Sequence, residues 1–275
     1  VSAAAIKRHL DRQQMDLESL RMATTPNATL EAIRADGSAM MTLAGMTPDG
    51  WQTTLLRSSS DRVLVCASRQ VGKSQTSAAL ALKVALLDEA LVLLLSPSLR
   101  QSSELFLKVL ALYRDLGRPV PTVRPRDNSL RLDLGNGSRI ISLPGTESTI
   151  RGYSGAALLV IDEAARVSDD LYLSVRPMLA VSGGSLVCVS SAYAKMGWYF
   201  EEFTGTNRWE RYRILATECP RISPAFLEEE RAAMGDLFFR REYECEFSEA
   251  TDAVFRQIDI DAMGSDDVEP WFKGS

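Results

Sequence analysis

Residues 62–75, Arg-Val-Leu-Val-Cys-Ala-Ser-Arg-Gln-Val-Gly-Lys-Ser-Gln, constrain the fold more than any other stretch of this chain. Val63 to Cys66 make an apolar run that reads as a buried strand, which the polar and glycine residues after it cannot continue. From Ser77 to Leu87 an Ala/Leu-rich helical pattern takes over. A strand, a short loop holding Gly72-Lys73-Ser74 and then a helix form a phosphate-binding turn, because unpaired backbone N–H groups and the helix dipole both favour an anion at a helix N-terminus. In such a turn the loop of Ser68, Arg69, Gln70, Val71, Gly72, Lys73, Ser74 and Gln75 wraps ATP. Lys73 reaches the β- and γ-phosphates, and the Ser74 hydroxyl binds Mg²⁺. The loop departs from the usual pattern in one respect: Ala67 stands where its first glycine belongs, and Arg69 lies inside it.

A second half of the same site lies at Ala156-Ala-Leu-Leu-Val-Ile-Asp162-Glu163, an apolar strand that ends in adjacent carboxylates. In a parallel sheet, ligands bind at the carboxyl ends of the strands, which puts this pair beside the loop. Asp162 would hold Mg²⁺ and Glu163 would polarise the attacking water. An acidic pair after a strand is also what a turn or helix cap provides, so the specificity comes from the joint pattern. Another strand-and-helix unit separates the halves, with a strand at Ala90 to Leu95 and a helix at Leu99 to Leu116. The expected fold class is α/β, a P-loop NTPase with a mostly parallel sheet flanked by helices.

Composition excludes other chemistries. His9 is the only histidine, which removes Ser-His and Cys-His catalysis and His-rich metal sites. Cys66, Cys188, Cys219 and Cys245 form no Cys-x-x-Cys pair, so neither zinc nor a disulfide framework is indicated and a reducing cytosol fits. No apolar run approaches the roughly 18 residues of a membrane span, and no signal peptide opens the chain. A net charge of −5 argues against a protein coated in nucleic acid, although residues 100–139 are locally basic.

The remaining elements follow in order. A helix is expected over residues 1–23 and a shorter one at Leu30 to Arg34, and Trp51-Gln52 opens another just before the first strand. Gln52 is either a surface amide or an adenine contact. Two alternating runs around Gly135-Asn136-Gly137 predict a hairpin. Ser168 caps a helix of Asp169 to Ala180, and the strand Ser185 to Val189 ends at Ser190-Ser191-Ala192, either an ordinary turn or a γ-phosphate sensor. Trp209 to Ala216 read as a strand, and Pro224 to Met234 and Asp236 to Phe247 as two helices parted by Gly235. The domain reading is a helical appendage (1–50), an ATPase core (51–217), a C-terminal helical subdomain (218–250) and a linker or tail (251–275).

With these residues in place, the chain resembles the ATPase half of a large terminase, the motor that packages double-stranded DNA into procapsids of tailed phages. The Ala67-Ser-Arg69-Gln-Val-Gly-Lys73-Ser74 loop carries the resemblance, since family members lack the first glycine and hold an arginine within the loop. The resemblance implies adenine contact by Gln52 and a coupling role for Ser190 and Ser191. It also implies that Arg151, in Ile150-Arg151-Gly152-Tyr153, serves a neighbouring subunit's ATP. Arg151 is then the arginine finger acting in trans and Arg69 a γ-phosphate sensor, with Arg69 in cis as the alternative finger. The implied partners are double-stranded DNA, the portal protein, the small terminase subunit and further copies of the chain in a ring, pentameric when assembled and monomeric in isolation. The implied setting is the host-cell cytoplasm. Arg124, Arg126 and Arg131 form one candidate DNA contact, and Arg208, Arg211 and Arg213 the other. Complete family members carry a C-terminal nuclease of RNase H-like fold. The residues after Ala250, including Asp259, Asp261, Asp266 and Asp267, read as a solvated linker without nuclease activity. A helicase-like DNA-dependent ATPase and a nucleotide-gated scaffold are the alternatives.

Overall fold

Apolar residues at consecutive positions of the central strands bury both strand faces, so a helical layer is required on each side. The computed structural model, which describes residues 28–123, 130–145 and 152–249, has this arrangement. The strands are β1 (Arg62–Ala67), β2 (Leu91–Ser96), β3 (Arg131–Asp133), β4 (Arg139–Pro144), β5 (Leu158–Asp162), β6 (Ser185–Ser190) and β7 (Glu210–Ile214). They form one seven-stranded sheet ordered β3-β4-β2-β5-β6-β1-β7, parallel except for the β3–β4 hairpin.

Alternation divides the core in two. Val63 and Val65 of β1 face a layer made by a helix over residues 28–35 (α1), α2 (Ala39–Leu43), α3 (Gly50–Arg57), α4 (Lys73–Leu87) and α5 (Leu99–Asp115). Leu64 and Cys66 face the other layer, which holds α6 (Asp169–Val175) and α7 (Gly197–Thr204). A smaller cluster of Ala216, Leu227, Phe239 and Tyr243 joins α8 (Pro224–Met234) and α9 (Asp236–Tyr243). All four cysteines are buried and unbridged. Among the described residues no helix is long and apolar enough to cross a membrane.

Local physics shifts several expected boundaries. α4 starts at Lys73 rather than Ser77 because Gly72, at φ 92°, turns the chain into the helix one residue before the lysine. α6 ends at Val175, as Pro177 converts the next turn into a 3₁₀ segment, Arg176–Leu179. α9 stops at Tyr243, short of Phe247. α7 escapes the sequence reading altogether, being short and aromatic. Its Trp198 stacks on Tyr172 with ring centroids 3.9 Å apart, and the Tyr199 hydroxyl donates to Val65 O at 2.9 Å. The expected helix over 1–23 and the tail from Ala250 lie outside the described residues.

Candidate nucleotide site

Sheet order places the two halves of the site. β1 and β5 both flank β6, so the tips that carry the loop and the acidic pair stand two strand spacings apart, roughly 10 Å. That gap accommodates phosphate groups. Between the tips opens a cavity of about 680 Å³, lined by Arg69, Gln70, Gly72, Lys73, Ser74 and Gln75 from the loop, by Glu163 and Ser191 from the other tips, and by Gln101, Lys108 and Arg166.

The loop is held tightly. Lys73 Nζ donates to Ala67 O at 3.0 Å and to Ser68 O at 2.8 Å, so its ammonium is folded back onto its own loop. Burial lowers the Lys73 pKa, and the nearby Glu163 and Asp162 carboxylates oppose that shift. Ser68 and Val71 are fully buried and serve as loop framework rather than cavity wall. Gln70 sits at φ 63° and Glu163 at φ 51°, left-handed conformations that cost energy in non-glycine residues and that cluster here at the ligand-facing edge.

Asp162 is the electrostatic outlier. Its Oδ1 is buried without a hydrogen-bond partner, and burial followed by the adjacent Glu163 charge pushes its pKa up to about 6. A desolvated carboxylate oxygen lacking a donor, at the strand tip next to the cavity-lining Glu163, is chemically suited to a divalent cation, as is the Ser74 hydroxyl that lines the cavity. No cluster of three or more His, Cys, Asp or Glu side chains able to hold a metal occurs among the described residues. Glu163 faces Arg166 across 3.8 Å, and Ser190 Oγ accepts from Ala165 N at 3.2 Å, joining β6 to the turn after the acidic pair.

Some expected site residues fall elsewhere. Gln52 is 2% exposed and does not line the cavity. Its Oε1 accepts from Asp49 N at 2.8 Å and its Nε2 donates to Thr76 at 2.8 Å, so both ends of the amide are bonded within the chain. Arg211 donates to Glu202 O at 2.8 Å and to Asn207 O at 2.9 Å, which ties its guanidinium to the preceding loop. Arg131 pairs with Asp133 at 2.8 Å. Arg131 on β3 and Arg211 and Arg213 on β7 sit at opposite edges of the sheet, roughly 29 Å apart across six strand spacings. Arg208 is exposed, while Arg213 lies over the Phe203 ring at 5.6 Å. Arg124, Arg126 and Arg151 lie outside the described residues.

Other residues reach the site without a sequence signal. Glu242 of α9 pairs with Arg69 at 2.6 Å, and Arg221 pairs with Asp49 at 2.6 Å while its Nη2 donates to Val71 O at 3.4 Å. Only three-dimensional contact identifies them, since neither is near the loop in sequence.

Parallel strands with a glycine-lysine-serine turn after β1 and an acidic pair at the end of β5, one strand between them, define an α/β domain. Sequence comparison then assigns the family: the profile described as "Terminase large subunit, T4likevirus-type, N-terminal" matches residues 64–262, and the chain belongs to that family. It is 25% identical over 232 residues to the large terminase subunit of Escherichia phage T5, covering 79% of this chain and 52% of that protein. The large subunit of Thermus phage G20c is 25% identical over 254 residues, with the same coverage. The chain thus spans about half the length of the curated relatives it matches. Among solved structures, the large terminase ATPase domain of Thermus phage P74-26 superposes with a TM-score of 0.66 at 21% identity, covering 75% of this chain and 96% of that one. The large terminase of a thermophilic bacteriophage in complex with ATP-gamma-S gives 0.57 at 15% identity, covering 74% and 53%. These likenesses show the fold.

Proposed function

We propose that this chain is the ATP-hydrolysing motor part of a large terminase, driving double-stranded DNA into a viral procapsid. The observation that carries the reading is the cavity shared by Lys73, Ser74 and Glu163, with the unpartnered Asp162 Oδ1 at the adjoining strand tip. When ATP enters, Lys73 exchanges the Ala67 and Ser68 carbonyls for phosphate oxygens, a trade that supplies charge pairing for a buried ammonium. Ser74 and Asp162 would hold Mg²⁺, which neutralises phosphate charge when bound. Glu163, displaced from Arg166, orients the attacking water. Ser191 lines the cavity beside the bonded Ser190, which supports a coupling role for this pair. Arg151 acts as the finger on a neighbouring subunit's ATP. Arg69 keeps its Nε on Glu242 and turns the rest of the guanidinium toward the γ-phosphate.

The working assembly is a ring of copies on the portal protein, loaded by the small terminase subunit in the host-cell cytoplasm. It grips DNA mainly through phosphates, with exposed Arg208 and the segment holding Arg124 and Arg126 as contacts. The test is Mg²⁺-dependent ATP hydrolysis, with and without double-stranded DNA, in the wild type, Lys73→Ala and Glu163→Gln. Turnover stimulated by DNA and lost by about 10²–10⁴-fold in both variants is expected. Nucleotide binding without turnover in the wild type would instead leave a nucleotide-gated scaffold.

A further inference from the structure

Four cationic side chains line the cavity: Arg69, Lys73, Lys108 and Arg166. Three of them are engaged within the chain. Arg69 pairs with Glu242 at 2.6 Å, Lys73 donates to Ala67 O and Ser68 O, and Arg166 faces Glu163 at 3.8 Å while lying over the Tyr193 ring at 4.8 Å. Lys108 has no hydrogen bond or ion pair among the described residues, although it is half-buried in the cavity wall. Its stem rises from the middle of α5, which is fixed by the buried Leu105, Val109 and Leu112. Gln101, two turns earlier on the same helix face, also lines the cavity. The ammonium therefore stands on a rigid element, opposite the loop, with its donors uncommitted.

We infer that Lys108 is an additional phosphate-binding group of this site, acting within its own subunit on the γ-phosphoryl of a bound nucleoside triphosphate. The inference rests on the reading of the cavity as a nucleotide site and adds to it a residue outside the loop and the acidic pair. Charge complementarity favours such a group alongside Lys73, the bound cation and Arg69, because a loose phosphoryl-transfer transition state spreads negative charge over three terminal oxygens. Lysine suits the position, being a compact cation on a flexible stem that can follow a moving phosphate.

The experiment compares binding of Mg²⁺·ATP-γ-S and Mg²⁺·ADP, together with steady-state hydrolysis at dilute protein, for the wild type, Lys108→Met, Lys108→Arg and the control Lys73→Ala. Lys108→Met is expected to bind ATP-γ-S about 10-fold more weakly while ADP binding changes less than about 2-fold, and to lower kcat by about 10–100-fold. Lys108→Arg should recover part of both. Thermal melting without nucleotide should be unchanged, because the ammonium makes no bond within the described chain. Equal weakening of both nucleotides, or wild-type binding and turnover in Lys108→Met, would overturn the inference while leaving the ATPase reading intact. A wild-type chain that binds neither nucleotide would remove the ATPase reading itself.

Discussion

Arg69, inside the phosphate-binding loop, and Glu242, in the last turn of α9, are joined twice: Arg69 Nε donates to Glu242 Oε2 at 2.6 Å, and Arg69 N donates to Glu242 O at 3.0 Å. The contact spans 173 positions of sequence and makes the C-terminal helices part of the loop's support. Glu242 is buried and also accepts from Arg241 at 3.1 Å, so its removal takes a carboxylate partner from two guanidinium groups, of which Arg241 is the more buried. Glu242→Ala should therefore lower stability in urea unfolding by about 1–3 kcal/mol, and a double-mutant cycle with Arg69→Ala should return a coupling of about 0.5–3 kcal/mol. Additive single effects would show that the backbone bond alone carries the contact.

Asp162 sets a pH dependence whose sign is opposite to that of a paired carboxylate. Its pKa is raised from 3.8 to about 6 in the folded chain, so the folded state binds the proton more tightly than the unfolded one. The resulting destabilisation is complete above about pH 6 and fades as pH falls toward 4. Asp162→Asn removes it and should stabilise the metal-free protein at pH 8 by about 2–3 kcal/mol, with the gain disappearing near pH 4. The same variant should lose Mg²⁺-dependent hydrolysis. Unfolding curves of the two proteins at both pH values decide the matter, and a destabilised Asp162→Asn at pH 8 would refute the electrostatic account.

Most of this architecture is legible from sequence because burial on both faces writes strands as unbroken apolar runs. Val63 to Cys66, Leu91 to Leu95, and Leu158 to Ile161 stand out for that reason. The loop and acidic pair are legible because the chemistry fixes residue types at strand ends. What stays hidden depends on contacts between distant segments. α7 is only eight residues long, and its aromatic residues read equally as strand or loop until Tyr172 and Val65 supply partners. The surroundings of Gln52 are hidden for the same reason: the sequence leaves open a surface amide or an adenine contact, and only the fold brings Asp49 N and Thr76 to the two ends of its amide. The strand order that sets Arg131 of β3 and Arg211 of β7 at opposite edges of the sheet is likewise not written in the sequence.

That bonding of Gln52 has a measurable consequence. A Cβ added at Gly72 would lie 2.8 Å from Gln52 Nε2, and Gly72 is held at φ 92°, where an L side chain is strained. Gln52 cannot withdraw without giving up both hydrogen bonds. Gly72→Ala should thus cost about 1–3 kcal/mol and weaken ATP binding at least 10-fold. Gln52→Ala should cost less stability, since the loop keeps Arg221 as a second brace. ATP binding that distinguishes adenine from guanine in the wild type but not in Gln52→Ala would establish an adenine contact for this residue.

The last prediction separates two sources of positive charge at the γ-phosphate. Lys108 stands in its own subunit's cavity wall and acts at any dilution, whereas an arginine supplied by a neighbour acts only when subunits meet. The wild-type specific ATPase activity should therefore rise with protein concentration from a nonzero floor. Arg151→Ala should erase the rise, by about 10³-fold or more at saturation, and spare the floor. Lys108→Met should lower the floor and the plateau together. Mixing Arg151→Ala with an excess of Glu163→Gln tests the geometry directly: the first donates an intact active site and the second an intact arginine, so activity should return above the floor of either alone. A specific activity independent of concentration and indifferent to Arg151 would place the finger within the subunit, leaving Arg69 and Lys108 to share the role.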